Sequence, residues 1–125
     1  MWRLVERLAP WIAAGLAAAA LIASLLPGVP MPSFALGDKL VHAVAYAALA
    51  ISWVLGLRWR WTRWPRTTAW LAVVAYGLAI ELLQGLTPWR RFEGLDLLAN
   101  ALGAAAGVLI AAALQRARFG DRSSR

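Results

Sequence analysis

The sequence contains no cysteine, which excludes disulfide stapling, thiolate catalysis and sulfur ligation of a metal. It has a single histidine, His42, and six acidic residues in 125. A multi-imidazole metal centre is therefore out of reach, and any acid–base chemistry must draw on a handful of side chains. Charged residues make up 15% of the chain, well under the roughly 25% of soluble domains. A solvated globular surface cannot be built from so few.

What is abundant is apolar: 62% of residues, with a mean hydropathy of +0.62. The apolar residues fall into four runs, at about 10–26, 40–57, 69–86 and 95–114. Each is close to the ~20 residues that a helix needs to cross a bilayer core. In lipid a helix satisfies its own backbone hydrogen bonds without closing a barrel. Short connections make consecutive helices antiparallel neighbours. The sequence thus reads as all-α: an integral membrane bundle of four antiparallel transmembrane helices, in a single domain over residues 1–125. Pro27, Pro30 and Pro32 end the first run. That run also has features of a signal peptide, with Ser33-Phe34-Ala35 as a small-x-small cleavage pattern. Its length and the Gly/Pro breaks before that point favour an uncleaved span.

The net charge is +7. The arginines lie between apolar runs rather than along one basic face, so nucleic acid is not an expected partner. The N-terminal segment, the 58–68 connection and the tail after residue 114 hold ten Lys and Arg; Lys39, Arg90 and Arg91 are the other three. The positive-inside rule then puts both termini in the cytoplasm. Trp59, Trp61, Trp64 and Trp70 fit an interfacial belt on that inner side.

Against this background the polar residues inside the runs stand out. Asp38, His42 and Tyr46 follow i, i+4, i+8 and share a helix face. Glu81 and Gln84 are neighbours three apart on another helix. Asp96, Asn100, Gly103 and Gly107 form a narrow stripe on the last helix. His42 and Asn100 each lie ~6 Å inside the preceding acid by helical rise, and Glu81 ~7 Å inside its helix end. With alternate spans antiparallel, all three fall in one shallow layer under the outer surface. Polar groups facing into the bundle can pair, whereas facing lipid each would cost several kcal/mol.

Singly, each residue has a plain reading. Asp38 and Asp96 suit helix N-termini, Lys39 suits snorkelling, and His42 and Tyr46 suit hydrogen-bonded interior positions. The Gly103-x-x-x-Gly107 seam suits close helix packing. Arg91 and Glu93 suit a solvated loop. Glu81 is harder to reduce, because a glutamate well inside a span is a functional candidate by default. Its expected partner is Arg90, Arg91 or His42. Jointly the residues support general acid–base chemistry, anion recognition or a proton relay. Asp38, His42, Glu81 and Asp96 carry suitable donor atoms for a divalent ion, but no spacing is specific to a metal. No metal or cofactor is assigned.

The ordered pieces Asp38-Lys39-x-x-His42-x-x-x-Tyr46, Glu81-x-x-Gln84, Pro88-x-Arg90 and Asp96-x-x-x-Asn100-x-x-Gly103-x-x-x-Gly107 resemble the VanZ-like family of small bacterial membrane proteins. The likeness covers roughly residues 36–110. Trp89 stands where the family commonly has glycine, and Glu93 where small polar residues are usual; spacing favours Arg90 over Arg91 as the equivalent arginine. The resemblance implies a multi-pass protein of the bacterial inner membrane. It also implies a link to glycopeptides (the namesake is associated with teicoplanin resistance), to the envelope or to lipid-carried wall precursors. It supplies no agreed reaction.

The expected function is an outward-facing site that binds or modifies an amphiphilic envelope molecule, a lipid-linked or glycopeptide ligand. Glu81, His42 and Asp96 are the catalytic candidates. Arg90, Gln84, Asn100, Asp38, Tyr46 and Lys39 are the ligand-binding candidates. The alternatives are a small proton-coupled transporter and a structural or partner-docking membrane protein. The chain's partners are the lipid bilayer and, as an open alternative, further copies of itself.

Overall fold

The structure, a computed structural model, describes residues 1–28, 36–56 and 64–123, with side chains described up to residue 118. It contains four helices, α1 (Trp2–Leu25), α2 (Gly37–Gly56), α3 (Pro65–Gly85) and α4 (Gly94–Ser123), and no strand among the described residues. All four are long and apolar enough to cross a membrane. The chain is a multi-pass membrane protein of the all-helical class.

The contacts fix the directions of the helices. At one end Lys39 at the start of α2 pairs with Asp96 at the start of α4, the backbone N–H just before α4 approaches Glu81 near the end of α3, and Gln84 in the last turn of α3 donates to Ser24 near the end of α1. At the opposite end Glu6 of α1 pairs with Arg118 of α4, and Pro10 lies against Gly56 at the end of α2. Neighbours in sequence therefore run antiparallel.

Two helices extend far beyond their apolar runs. α1 begins at Trp2, eight residues before the uncharged stretch, and carries Pro10 inside it. Transmembrane helices tolerate such a proline because neighbours supply compensating contacts. α4 runs on through Arg116 and Arg118. The two extensions hold each other: the Arg118 guanidinium pairs with Glu6 and lies 5.4 Å from the centre of the Trp2 ring. What reads as a basic start and a basic tail is a clasp between two helix ends. Trp59 and Trp61 lie outside the described residues. Trp64 is exposed, whereas Trp70 donates its indole N–H to the Ala101 carbonyl at 3.0 Å and so bridges α3 to α4.

α2 and α4 form the closest pair. A Cβ on Gly103 would run into the Ala43 carbonyl, and one on Gly107 into the Ala47 carbonyl. Bare glycines thus let two backbones touch where lipid gives no hydrophobic push between helices. Around this seam lies a core of Leu49, Ala50, Val54, Ala69, Val73, Ala104, Val108 and Ala111. The core fills the half of the bundle away from the polar residues. α1 is packed more loosely; Ala9 is its one buried residue.

Candidate functional site

The site is built where two helices start and two end. Asp38 lies in the first turn of α2 and Asp96 in the first turn of α4, where the positive end of the helix dipole favours a carboxylate. Glu81 and Gln84 come from the last turns of α3, both buried. His42 and Tyr46 follow Asp38 down one face of α2, and Asn100 follows Asp96 down α4.

The outer tier is a lysine held by three acids. Lys39 Nζ lies 2.6 Å from Glu93 Oε2 and 2.6 Å from Asp96 Oδ1, and it also pairs with Asp38. Its ammonium neutralises a cluster that would otherwise repel itself. The lysine is thus turned into the site rather than snorkelling. Glu93 is exposed, as a loop charge should be, yet it also binds Lys39, and its backbone N–H approaches Glu81 Oε2 at 3.5 Å. Its position three residues before Asp96, on the approach to α4, was the available signal.

The inner tier is buried. His42 Nδ1 lies 2.9 Å from Asn100 Oδ1. An amide oxygen only accepts, so Nδ1 carries the proton and donates it. His42 Nε2 faces Asp96 Oδ2 at 3.6 Å. Donor atoms of His42, Glu81 and Asp96 all lie within 4.8 Å of one another. Glu81 is fully buried, and its Oε1 has no hydrogen-bond partner; neither has Asn100 Nδ2. The ion pair expected between Glu81 and Arg90 or Arg91 does not form. The loop turns Arg90 to the cavity instead and brings the Glu93 backbone to Glu81.

Tyr46 forms the floor. Its ring stacks below His42 with centroids 6.5 Å apart. Gly77 on α3 makes room for it, since a Cβ there would stand 2.9 Å from the Tyr46 ring and 3.0 Å from Asn100 Nδ2. The end of α1, to which the sequence assigned no part, closes the side. Gln84 Nε2 donates to the Ser24 carbonyl at 3.2 Å, and Trp89 Nε1 to the Leu25 carbonyl at 3.2 Å. Trp89 in place of glycine therefore ties the loop to α1.

Two cavities adjoin this cluster. A polar one of about 440 Å³ is lined by Asp38, Trp89, Arg91, Glu93 and Asp96 together with His42, Gln84 and Arg90. An apolar one of about 240 Å³ runs between α1 and α2, past Leu16, Ala20, Val41, Ala45 and Leu49. His42, Gln84 and Arg90 line both. Arg90 is half-buried and forms no ion pair among the described residues. All nine residues singled out from the sequence thus reach one end of the bundle.

The family model of VanZ/LLP1 matches residues 7–115. The chain belongs to the VanZ/LLP1 family. The match takes in all four helices of this VanZ-like chain, including α1, which the polar motifs alone do not reach. No curated protein and no solved structure gives a match.

Proposed function

We propose that this VanZ-like protein binds, and through the same site modifies, an anionic amphiphile of the cell envelope. The observation that carries the reading is the junction of a polar and an apolar cavity at Arg90, His42 and Gln84. A head group bearing phosphate or carboxylate would sit in the polar cavity against Arg90, whose planar fork suits bidentate contact with either. The acyl or prenyl tail would lie between α1 and α2. Glu81 and His42 would act on the head group as base and acid, with Asp96 orienting the imidazole. Gln84, Asn100, Asp38, Lys39 and Tyr46 would shape the pocket. By the positive-inside count the termini lie in the cytoplasm and the site opens at the outer face of the inner membrane. Any effect on glycopeptide susceptibility would enter through such an envelope ligand.

Two features argue against the alternatives. Below Tyr46 and Asn100 the interior is the apolar core, where the one buried polar side chain among the described residues, Ser52, bonds to its own helix at Ala48. That arrangement offers no relay of side chains through the bundle. A purely structural network would satisfy its members, yet Glu81 Oε1 and Asn100 Nδ2 are left bare.

The test is to identify lipids that co-purify with the detergent-solubilised protein and with Arg90→Ala. A specific anionic lipid enriched on the wild type and lost from the variant supports the proposal. Equal lipid profiles on the two proteins overturn it. Glu81→Gln should keep the lipid and lose its conversion.

A further inference from the structure

Two groups of acids meet in this bundle, and they differ in one respect. Asp38, Glu93 and the outer oxygen of Asp96 surround Lys39, so this cluster contains its own cation. The second group, His42, Glu81 and Asp96, holds no lysine or arginine of its own, and Lys39 reaches it only at the outer oxygen of Asp96.

The hydrogen bonds sharpen the contrast. His42 Nδ1 donates to Asn100, which leaves Nε2 as the ring nitrogen turned toward the acids. That nitrogen faces Asp96 Oδ2 at 3.6 Å. Glu81 Oε1 is buried with no donor in reach, in a residue with 0% exposure. His42 and Asp96 are each 8% exposed. Three ligating side chains thus converge; Lys39 meets only the outer oxygen of Asp96, while Glu81 Oε1 has no partner, and a buried carboxylate carries a heavy desolvation cost unless a positive charge meets it.

We infer that His42, Glu81 and Asp96 form a binding site for one divalent transition-metal ion, with zinc the ion that best suits one imidazole and two carboxylates. Ligands of a tetrahedral zinc at ~2.1 Å stand about 3.4 Å apart. The 3.6 Å between His42 and Asp96 is already near that figure, and all three donors fall within 4.8 Å. Asn100 has the place of the outer partner that fixes the tautomer and orientation of a ligating histidine. Three protein ligands leave a fourth position free, the pattern of catalytic rather than structural zinc sites. His42 and Asp96 both line the polar cavity, so an ion there faces it. The inference rests on the donor set and not on the amphiphile reading; with an ion bound, His42 and Glu81 would hold it rather than act as acid and base.

The experiment measures zinc binding by the full chain in detergent, by metal analysis after dialysis and by titration calorimetry. One zinc per chain is expected. Glu81→Gln and Asp96→Asn should each weaken binding by tenfold or more, and Asn100→Ala by roughly tenfold. Glu93→Gln, in the lysine-filled cluster, should leave affinity within about threefold, because Glu93 is not a ligand. Elution volume and helical circular dichroism establish that each variant is folded. X-ray absorption of the zinc-loaded wild type should show one imidazole in an all-N/O shell. Absence of stoichiometric zinc on the folded wild type overturns the inference, as does zinc indifferent to Glu81→Gln. Arg90→Ala should lose lipid but keep zinc, so failure of the metal site and failure of the amphiphile reading are separately visible.

Discussion

His42 and Asn100 are 58 residues apart in sequence, and their side chains meet at 2.9 Å in the interior, joining α2 to α4 through a single hydrogen bond. Both residues are buried, Asn100 completely. The bond sets which nitrogen of the only histidine is free to face the acids.

A double-mutant cycle should therefore find these two coupled. His42→Leu and Asn100→Leu should each destabilise the bundle by about 1–2 kcal/mol, since each strands a buried polar partner. The double variant should lose clearly less than the sum. Steric-trap or denaturant unfolding in detergent measures this, and strict additivity would mean the bond contributes nothing of its own.

Lys39 offers a second test. Lys39→Met removes the one cation among Asp38, Glu93 and Asp96 and should cost roughly 2–3 kcal/mol, because partly buried carboxylates are left to repel each other. Adding Asp96→Asn to that background should restore part of the loss. A thermal melt of the three proteins suffices, and a single variant as stable as wild type would show that solvent screens the cluster.

The glycine seam makes a sharper contrast. Gly103→Ala and Gly107→Ala push a methyl group into the Ala43 and Ala47 carbonyls and should each cost about 1–3 kcal/mol through overpacking. Gly15→Ala meets nothing within 4 Å and should stay within about 0.5 kcal/mol of wild type. Equal effects at the three positions would dissociate the close approach from stability.

The apolar cavity can be filled without touching the polar cluster. Ala20 lines it from α1, and Ala20→Phe should exclude the tail of a bound amphiphile. Co-purified lipid should fall at least about threefold, since most of a small ligand's affinity follows the surface it buries, while zinc content should be unchanged. Undiminished lipid on this variant would move the tail elsewhere.

The four spans were legible because the apolar runs are long and their interruptions basic or proline-rich. The gathering of Glu81, His42, Asp96 and Asn100 was legible from i, i+4 spacing combined with alternating helix direction. Helix ends were not. The apolar run says where lipid ends, not where hydrogen bonding ends, so α1 reaches back to Trp2 and α4 on to Ser123. Nor was pairing legible. Of the three partners expected for Glu81, His42 comes within 4.8 Å but neither Arg90 nor Arg91 pairs with it; the turn before α4 presents a backbone N–H instead, and Glu93 goes to Lys39. Loop geometry decides such choices, and nothing in the spacing of charges encodes it. The carbonyls of Ser24 and Leu25 were invisible for a simpler reason: main-chain acceptors carry no side-chain identity.

Beyond the Glu6–Arg118 clasp and the Pro10 contact at its far end, α1 is tied by those carbonyls and that of Ala17: Tyr76, Gln84 and Trp89 each reach one of them, while Ala9 alone is buried along the helix. A wall hung on pegs swings more readily than one mortared in place. The apolar cavity lies behind that wall, so under the proposed function a greasy tail would enter sideways from the surrounding leaflet, never leaving oil for water.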